Sequence, residues 1–185
     1  MADVAALVTV SLPIHHLDAR VYARMVASGA LDDRRVELLD GLLIEMSPHT
    51  PQHAAVIQRL TELFAGLGQT PRVQLPLEVS CDSVPEPDIA LVAGPPDPQR
   101  HPSTALLVVE VAVSSHDIDR AVKDRLYAGA EVATYWIVDV PGLTLEVRSD
   151  PGPDGYRSIE VRRPGDTVSS PAGDIAVASL LAGLH

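Results

Sequence analysis

The sequence predicts an α/β protein with a central mixed β-sheet, flanking helices and extra antiparallel strands. The most apolar run of the chain, at 105–113, has the continuous β-branched character of a strand covered on both faces. A helical pattern and a second strand pattern at 134–138 follow it, and strand, helix and strand normally form a right-handed parallel unit. Two further strand patterns, at 143–148 and 156–161, predict outer antiparallel strands.

The spacing of apolar residues and turn residues in the N-terminal third predicts a helix, a hairpin and a longer helix. Apolar residues recur every four positions across 17–27, which predicts a short helix. Asp40-Gly41 separates the strand patterns at 36–39 and 42–46, and this dipeptide supplies the two positive φ angles of a type I′ hairpin turn. Helical spacing then extends across 50–67, where a threonine and a proline provide the cap and the first helical position.

The middle of the chain alternates strand and helix patterns. Strands are predicted at 73–75 and 77–80, and a third, at 87–92, opens with Pro87-Asp88. After the apolar run, a helix is predicted to begin at Ser115 or Asp117 and to end near Gly129. Its predicted buried stripe is Ile118, Val122 and Leu126, and the adjacent line of side chains is Asp119, Lys123 and Tyr127.

The C-terminal part completes one domain. A loop rich in Gly, Pro and Asp at 149–155 separates the two outer strands, and 174–184 predicts a strand edge and a short helix. With 185 residues and 46% hydrophobic content, the chain is long enough for one substantial core. We therefore predict a single domain over 1–185, of which 1–16 is a flexible or loosely packed N-terminal segment.

Composition argues against several classes of function. Aromatic residues make up 3% of the chain, too few for a platform on which single-stranded bases stack. The net charge of −11 opposes broad electrostatic capture of nucleic acid, and the single cysteine, Cys81, excludes an intrachain disulfide. Because no stretch approaches the roughly 18 apolar residues of a membrane span, we predict a cytoplasmic protein without a membrane partner.

Lys123 is the only lysine in a chain that has thirteen arginines, and it is the best indication of chemistry. A surface pair with Asp119, one helical turn earlier, would contribute a few tenths of a kcal/mol. Alternatively, Lys123 belongs to a site with Glu110, thirteen residues before it, and Asp88, thirty-five residues before it. The spacing alone leaves both interpretations open.

Glu110 is difficult to explain as a purely structural residue. A carboxylate in a doubly covered strand needs a partner or a metal to offset its desolvation. Glu110 lies in the C-terminal half of the apolar run, where ligands collect in open sheets, and the helix that carries Lys123 starts at the same end. Mg²⁺ takes oxygen ligands and only a few carboxylates, for which Asp88, Glu110 and Glu37 are suitable.

Five segments in this order resemble the Uma-two family of restriction endonuclease-like proteins, a branch of the PD-(D/E)xK nuclease superfamily. The resemblance extends from about Asp18 to the C-terminus. It implies a restriction-endonuclease-like core and hydrolysis of DNA phosphodiester bonds by a metal-activated water. The segments are 36–41, 87–92, 108–115, 119–127 and 135–139.

The resemblance also implies roles for individual residues. Asp88 is the Asp of the motif and Glu110 its second acid, both of them ligands of Mg²⁺, which Mn²⁺ can replace. The carbonyl of Val111 is implied as a further ligand, and Glu37 as an upstream acid of the metal site.

The amine of this family differs in position from that of the superfamily. The usual lysine lies two residues after the second acid, where this chain has Ala112. The resemblance implies that Lys123, from the following helix, takes its place, which makes Asp88, Glu110 and Lys123 the predicted catalytic residues. Lys123→Ala and Glu110→Ala are each expected to abolish turnover and to leave the fold intact.

Other residues near these motifs have two interpretations. His53 either approaches the phosphate, an interpretation suggested because the family often has a histidine at this place, or is a first-turn residue packed beside a proline. Tyr127 either hydrogen-bonds in the site or packs at the edge of the core. His49 and His116 are predicted to be surface residues, and Trp136 a core residue.

The acidic balance sets conditions on a DNA substrate. Arginines would have to cluster on one face, namely Arg34, Arg35, Arg59, Arg72, Arg120 and Arg125. A homodimer would create such a face and would supply two sites for two strands. Two alternatives stay open: a non-catalytic binding module that keeps the nuclease fold, and a metal-dependent hydrolase of a small phosphoester.

Overall fold

A six-stranded mixed β-sheet lies at the centre of the computed structural model, which describes residues 14–113 and 118–184. The strand order is β3-β4-β5-β6-β7-β8. Strands β5 and β6 pair in parallel and the other neighbouring pairs are antiparallel, which confirms the predicted mixed sheet. The strands are β3 Arg72–Val73, β4 Ile89–Leu91, β5 Leu107–Ala112, β6 Thr134–Asp139, β7 Thr144–Gly152 and β8 Gly155–Arg162.

Strand β5 forms the middle of the core, and all six of its residues are buried. On one face, odd-numbered residues such as Val109 pack in the cluster that includes helix α2, Pro51–Gly66. On the other face, even-numbered residues such as Val108 pack in the cluster that includes Tyr127 of the following helix. Because side chains alternate along a strand, Glu110 projects towards this second helix.

The predicted hairpin consists of β1, Val36–Leu39, and β2, Leu42–Glu45. Asp40 and Gly41 have φ angles of 48° and 76°, as a type I′ turn requires. A Cβ at Gly41 would also overlap His16, which packs on the turn. The prediction for 1–16 concerns mainly residues 1–13, which lie outside the described residues.

Both N-terminal helices begin at the side-chain caps that their sequences offer. Asp18 accepts a hydrogen bond from the Val21 N–H at 2.7 Å and starts α1, Ala19–Ala27. The Thr50 hydroxyl accepts the His53 N–H at 3.2 Å and starts α2, with Pro51 at its first position. The cap therefore holds His53 in the first turn of α2.

The helix after β5 differs from the prediction in its buried face. Residues Ile118–Lys123 form a π-helical turn, and α3, Asp124–Gly129, continues it. Ile118 is 38% exposed, whereas Lys123 and Tyr127 are buried. The predicted stripe of Ile118, Val122 and Leu126 is thus wrong for its first residue, because the wider π turn changes which side chains face the sheet. The predicted caps at Ser115 and Asp117 lie outside the described residues, as does the side chain of Asp119.

The C-terminal half shows further differences. Strand β7 continues through Gly152 and pairs there with Gly155, so the predicted loop at 149–155 is mostly strand. Residues 77–80 form only an isolated bridge rather than the predicted strand. A small sheet of β9, Thr167–Ser170, and β10, Gly173–Ala176, precedes α4, Val177–Leu181.

None of the helices in the described ranges has the length and apolar character needed to cross a bilayer.

Gly155→Ala is expected to destabilise the fold more than Gly165→Ala. Both glycines have positive φ, 130° and 112°, so the backbone strain is common to the pair. A Cβ at Gly155 would overlap the Asp124 carboxylate, which Arg148 holds at 2.6 Å, whereas a Cβ at Gly165 meets open space. We expect an additional loss of about 1–3 kcal/mol in urea unfolding for Gly155→Ala. Equal losses would show that Asp124 moves freely.

Candidate active site

One cavity of about 80 Å³ brings the sequence-predicted site residues together. Its walls come from the β1–β2 hairpin, the first turn of α2, the end of β5 and the π-helical turn. Glu37, Asp88, Glu110, Val111 and Lys123 line it, together with His49, His53 and Glu86. The cavity lies at the C-terminal end of a parallel strand, the usual place for a ligand in such a sheet.

Lys123 lies between two carboxylates inside this cavity. Its Nζ is 3.0 Å from Glu110 Oε1 and 3.1 Å from Glu37 Oε1. The three residues are 4–5% exposed, so the charges face each other away from bulk water. The interpretation of Lys123 as a surface residue is therefore wrong. Burial of this pairing holds the amine at one fixed position in the cavity.

Tyr127 supports Glu110 from one turn further along α3. Its hydroxyl donates a hydrogen bond of 2.7 Å to Glu110 Oε1, the oxygen that also faces Lys123. Burial raises the pKa of Tyr127 well above its ordinary value, and the charge of Glu110 raises it further. Tyr127 thus remains a hydrogen-bond donor. It is a core residue that also hydrogen-bonds in the cavity, so it combines the two roles that the sequence left open.

Asp88 lies directly before β4 and receives three hydrogen bonds. The Val111 N–H and His53 Nε2 are 2.8 and 3.0 Å from its Oδ2, and the Gln74 amide donates to Oδ1 at 3.3 Å. Burial alone would raise the pKa of Asp88, but the bonds from His53, Val111 and Gln74 outweigh it and lower that pKa. Asp88 is therefore ionised at neutral pH.

The two histidines at the start of α2 lie together beside Asp88. Their rings stack with centroids 4.7 Å apart and an angle of 19° between the planes. His53 contacts Asp88 through Nε2 and lines the cavity. His49 is exposed, as predicted, yet it lines the same cavity. His49 and His53 are four positions apart, one on each side of the Thr50-Pro51 helix start. This spacing was the signal that the sequence offered for the pair.

Glu86 is a site residue that sequence reasoning missed. Its backbone N–H donates to Glu37 Oε2 at 3.0 Å, and its side chain lines the cavity. Burial raises the pKa of Glu86, as does the charge of Glu37, while Arg35 and Lys123 act in the opposite direction. The signal in the sequence was an acid between two prolines, two residues before Asp88.

The arginines considered for DNA contact have mostly internal partners. Arg120 bonds Glu146 and Asp139, and Arg125 pairs with Asp40. Arg59 and Arg72 donate to backbone carbonyls of Leu180 and Pro76. Within the described ranges, Arg35 is brought next to the cavity, 3.2 Å from His49 Nε2.

Comparison with known proteins agrees with this geometry. The sequence profile of the Uma2 family, described as "Putative restriction endonuclease", matches residues 22–176. The chain belongs to the Uma2 family. The predicted resemblance is thus confirmed. A search of curated proteins found no match for this Uma2 chain.

A solved structure shares the fold of this Uma2 chain. It is a protein from Anabaena variabilis ATCC 29413, described as "a putative nuclease belonging to DUF820". The TM-score is 0.67 at 14% sequence identity, and the match covers 83% of this chain and 93% of that one. The likeness confirms the predicted fold class, a mixed sheet with flanking helices and antiparallel strands.

Proposed function

We propose that this chain is a metal-dependent endonuclease that hydrolyses phosphodiester bonds of DNA. The observation that carries the proposal is the meeting of Asp88, Glu110 and Lys123, with Glu37, in one cavity at the end of β5. The family description and the description of the solved relative both refer to nucleases and support the same activity.

The charge of the cavity indicates why a cation is needed. Its described lining holds one ammonium, Lys123, against the carboxylates of Glu37, Glu45, Glu86, Asp88 and Glu110. A phosphodiester that entered this cavity would be repelled unless positive charge were added. Carboxylate oxygens are the ligands that Mg²⁺ prefers, so the donor set fits Mg²⁺ or Mn²⁺. Asp88, Glu110 and Glu37 would hold the cation, and we propose the carbonyl of Val111 as a further ligand.

The side chains of the cavity divide the work of catalysis. A bound cation would neutralise phosphate charge and lower the pKa of water. Lys123, fixed by Glu37 and Glu110, presents positive charge where negative charge develops on the phosphate oxygens. Tyr127 orients Glu110, and His53 orients Asp88, so both acids keep their positions while substrate binds.

Asp88→Asn is expected to reduce cleavage of a supercoiled plasmid by at least about 100-fold in Mg²⁺ at low salt. The reason is that the neutral amide replaces a negatively charged ligand of the cation. Asp97→Asn is the matched control, since Asp97 is exposed in the Pro-rich loop at 93–102, away from the cavity. Circular dichroism of both variants checks the fold. Cleavage that persists in EDTA, or equal activity of the two variants, would contradict the proposal.

We also propose that the active species is a homodimer. Two such sites would suit cleavage of both strands of a duplex, and two-fold symmetry supplies them. In the same plasmid assay, linear product formed without accumulation of nicked circles supports paired sites. Sedimentation velocity measures the oligomeric state directly.

The shape of the cavity also favours a second candidate, hydrolysis of a small phosphoester. The volume is about 80 Å³, and no arginine occurs in the described lining. Bis(p-nitrophenyl) phosphate and duplex DNA, compared under the same conditions, distinguish the two substrates. Metal binding without turnover of either substrate would instead support the non-catalytic binding module.

A further inference from the structure

The acids of the cavity fall into two groups. Glu37 and Glu110 each direct Oε1 onto the ammonium of Lys123, within 3.1 Å. Asp88 instead has imidazoles beside it: one potential ligand atom each from His49, His53 and Asp88 lies within 4.8 Å of the other two. The two groups share a cavity, but they offer different ligands, oxygen in the first and mixed nitrogen and oxygen in the second.

The side-chain amide of Gln74 lies among these potential ligands. Its nitrogen is 2.8 Å from His49 Nε2 and 3.3 Å from Asp88 Oδ1. The backbone N–H of Gln74 donates to the Asp88 carbonyl at 3.1 Å, and its φ angle is 49°. The amide donates towards both His49 and Asp88, so lone pairs of the two residues converge near one point.

The nitrogen of His49 that faces this point is an acceptor. Both of its neighbours, Arg35 Nη1 at 3.2 Å and the Gln74 amide, are donors. A neutral ring with the proton on Nδ1 satisfies both contacts. Neutral imidazole is the form that binds metals.

His53 also has a ring nitrogen to spare. Nε2 lies 3.0 Å from Asp88, whereas Nδ1 is buried without a hydrogen-bond partner in the described part of the chain. An unsatisfied buried nitrogen is unfavourable in a purely structural residue. Coordination of a metal through Nδ1, with the ring proton on Nε2, would give this unsatisfied nitrogen a partner.

We infer that His49, His53 and Asp88 form a binding site for a divalent transition metal such as Mn²⁺, Co²⁺ or Zn²⁺. Imidazole ligands favour these ions, whereas Mg²⁺ prefers oxygen. Ligand atoms about 2.1 Å from one ion in tetrahedral geometry lie about 3.4 Å apart, so atoms that are now up to 4.8 Å apart must approach by as much as about 1.4 Å when the ion binds. Arg35 and the Gln74 amide, which both donate to His49 Nε2, must also leave this nitrogen, and the exposed position of His49 allows them to do so.

This inference deepens the proposed function, on which it rests through Asp88, because it names the class of cation that the histidine side of the cavity selects, beside the cation held by Glu37 and Glu110. It also has consequences of its own for metal binding. The selectivity for one metal over another should depend on His49. Cleavage of DNA should depend in addition on Glu110 and Lys123.

The test is titration of the untagged full-length protein with CoCl₂, followed by visible absorption and calorimetry, with MgCl₂ titrated in parallel. The Cys81→Ser background removes an exposed thiol that would bind cobalt. We expect one Co²⁺ per chain with a nitrogen-ligand spectrum, and an affinity at least about tenfold lower in His49→Ala. His101→Ala is the matched control, since this histidine is exposed in the Pro-rich loop.

Glu110→Gln separates this inference from the proposed function. It should lose cleavage and keep the cobalt spectrum. Cobalt binding that requires Glu110 and is unchanged by His49→Ala would overturn the inference and leave the nuclease proposal in place. Cobalt binding that follows His49, with no cleavage by any form, would support the inference and contradict the nuclease proposal. An absence of cobalt binding in wild type would overturn the inference.

Discussion

Lys123→Met is expected to reduce metal-dependent DNA cleavage by about 10²–10³-fold or more. The ammonium is the positive group of the described cavity lining, and loss of one such electrostatic contact to a transition state has an effect of this size. Methionine keeps most of the length and the apolar stem of lysine. Single-turnover cleavage of a short duplex, measured against wild type at saturating Mg²⁺, gives the effect on the chemical step.

The burial of Lys123 changes one expectation from the sequence. The sequence predicts that Lys123→Ala leaves the fold intact, but this change would remove the ammonium that lies between the buried carboxylates of Glu37 and Glu110. Removal of one partner from a buried ion pair costs about 3–5 kcal/mol, so Lys123→Ala is expected to destabilise the fold by about this amount. The double variant Lys123→Met with Glu37→Gln removes one negative charge along with the positive one, so it should recover much of the stability.

The double variant is therefore the control for activity. If it is stable and less active than Glu37→Gln alone, the additional loss is due to the missing ammonium rather than to unfolding or to the missing Glu37 carboxylate. Wild-type cleavage by Lys123→Met or by the double variant would refute a catalytic role for Lys123.

Arg148→Met is expected to destabilise the protein by about 3–5 kcal/mol, a loss as large as the one expected on removal of Lys123. The buried guanidinium bonds Asp124 Oδ1 at 2.6 Å and Glu146 Oε2 at 2.8 Å. It also donates to the Arg120 carbonyl at 3.3 Å, so it ties the π-helical turn to β7. Asp124 directly follows Lys123, and the same network therefore positions the amine of the site.

The matched control for this variant is Arg157→Met. Arg157 pairs with Asp150 at 3.0 Å, but both side chains are about 60% exposed, so the expected loss is below about 1 kcal/mol. Urea unfolding at neutral pH measures both variants. Similar midpoints for the two proteins would show that the buried network adds no more stability than a surface pair.

The effect of Arg148→Met should also depend on pH. Burial alone would raise the pKa of Glu146, but hydrogen bonds from Arg120 and Arg148 outweigh it and lower that pKa. A lowered folded-state pKa contributes stability above the pKa of the unfolded carboxyl, and this contribution is lost as pH falls through the folded value. The difference between wild type and Arg148→Met should therefore decrease in acid.

Local patterns determined most of the elements of this protein. Asp40-Gly41 adopts the turn that its two positive φ angles predict, and Thr50-Pro51 starts α2. The β-branched run became β5, buried on both faces, and the strand after the next helix pairs with it in parallel. These features depend on residues within a few positions of one another, or on the handedness of one connection, so the sequence alone predicts them.

The tertiary structure decided which side chains meet. Lys123 pairs with Glu37 across 86 positions of sequence, and Glu86 and Gln74 entered the site without a motif that marked them. The π turn buried Lys123 and left Ile118 exposed, although Ile118 belonged to the apolar stripe that the sequence predicts to be buried. Such outcomes result from the sum of packing, hydrogen bonding and desolvation over distant segments. Local spacing carries no record of that sum, so the residue types of the site were predictable and most of its contacts were not.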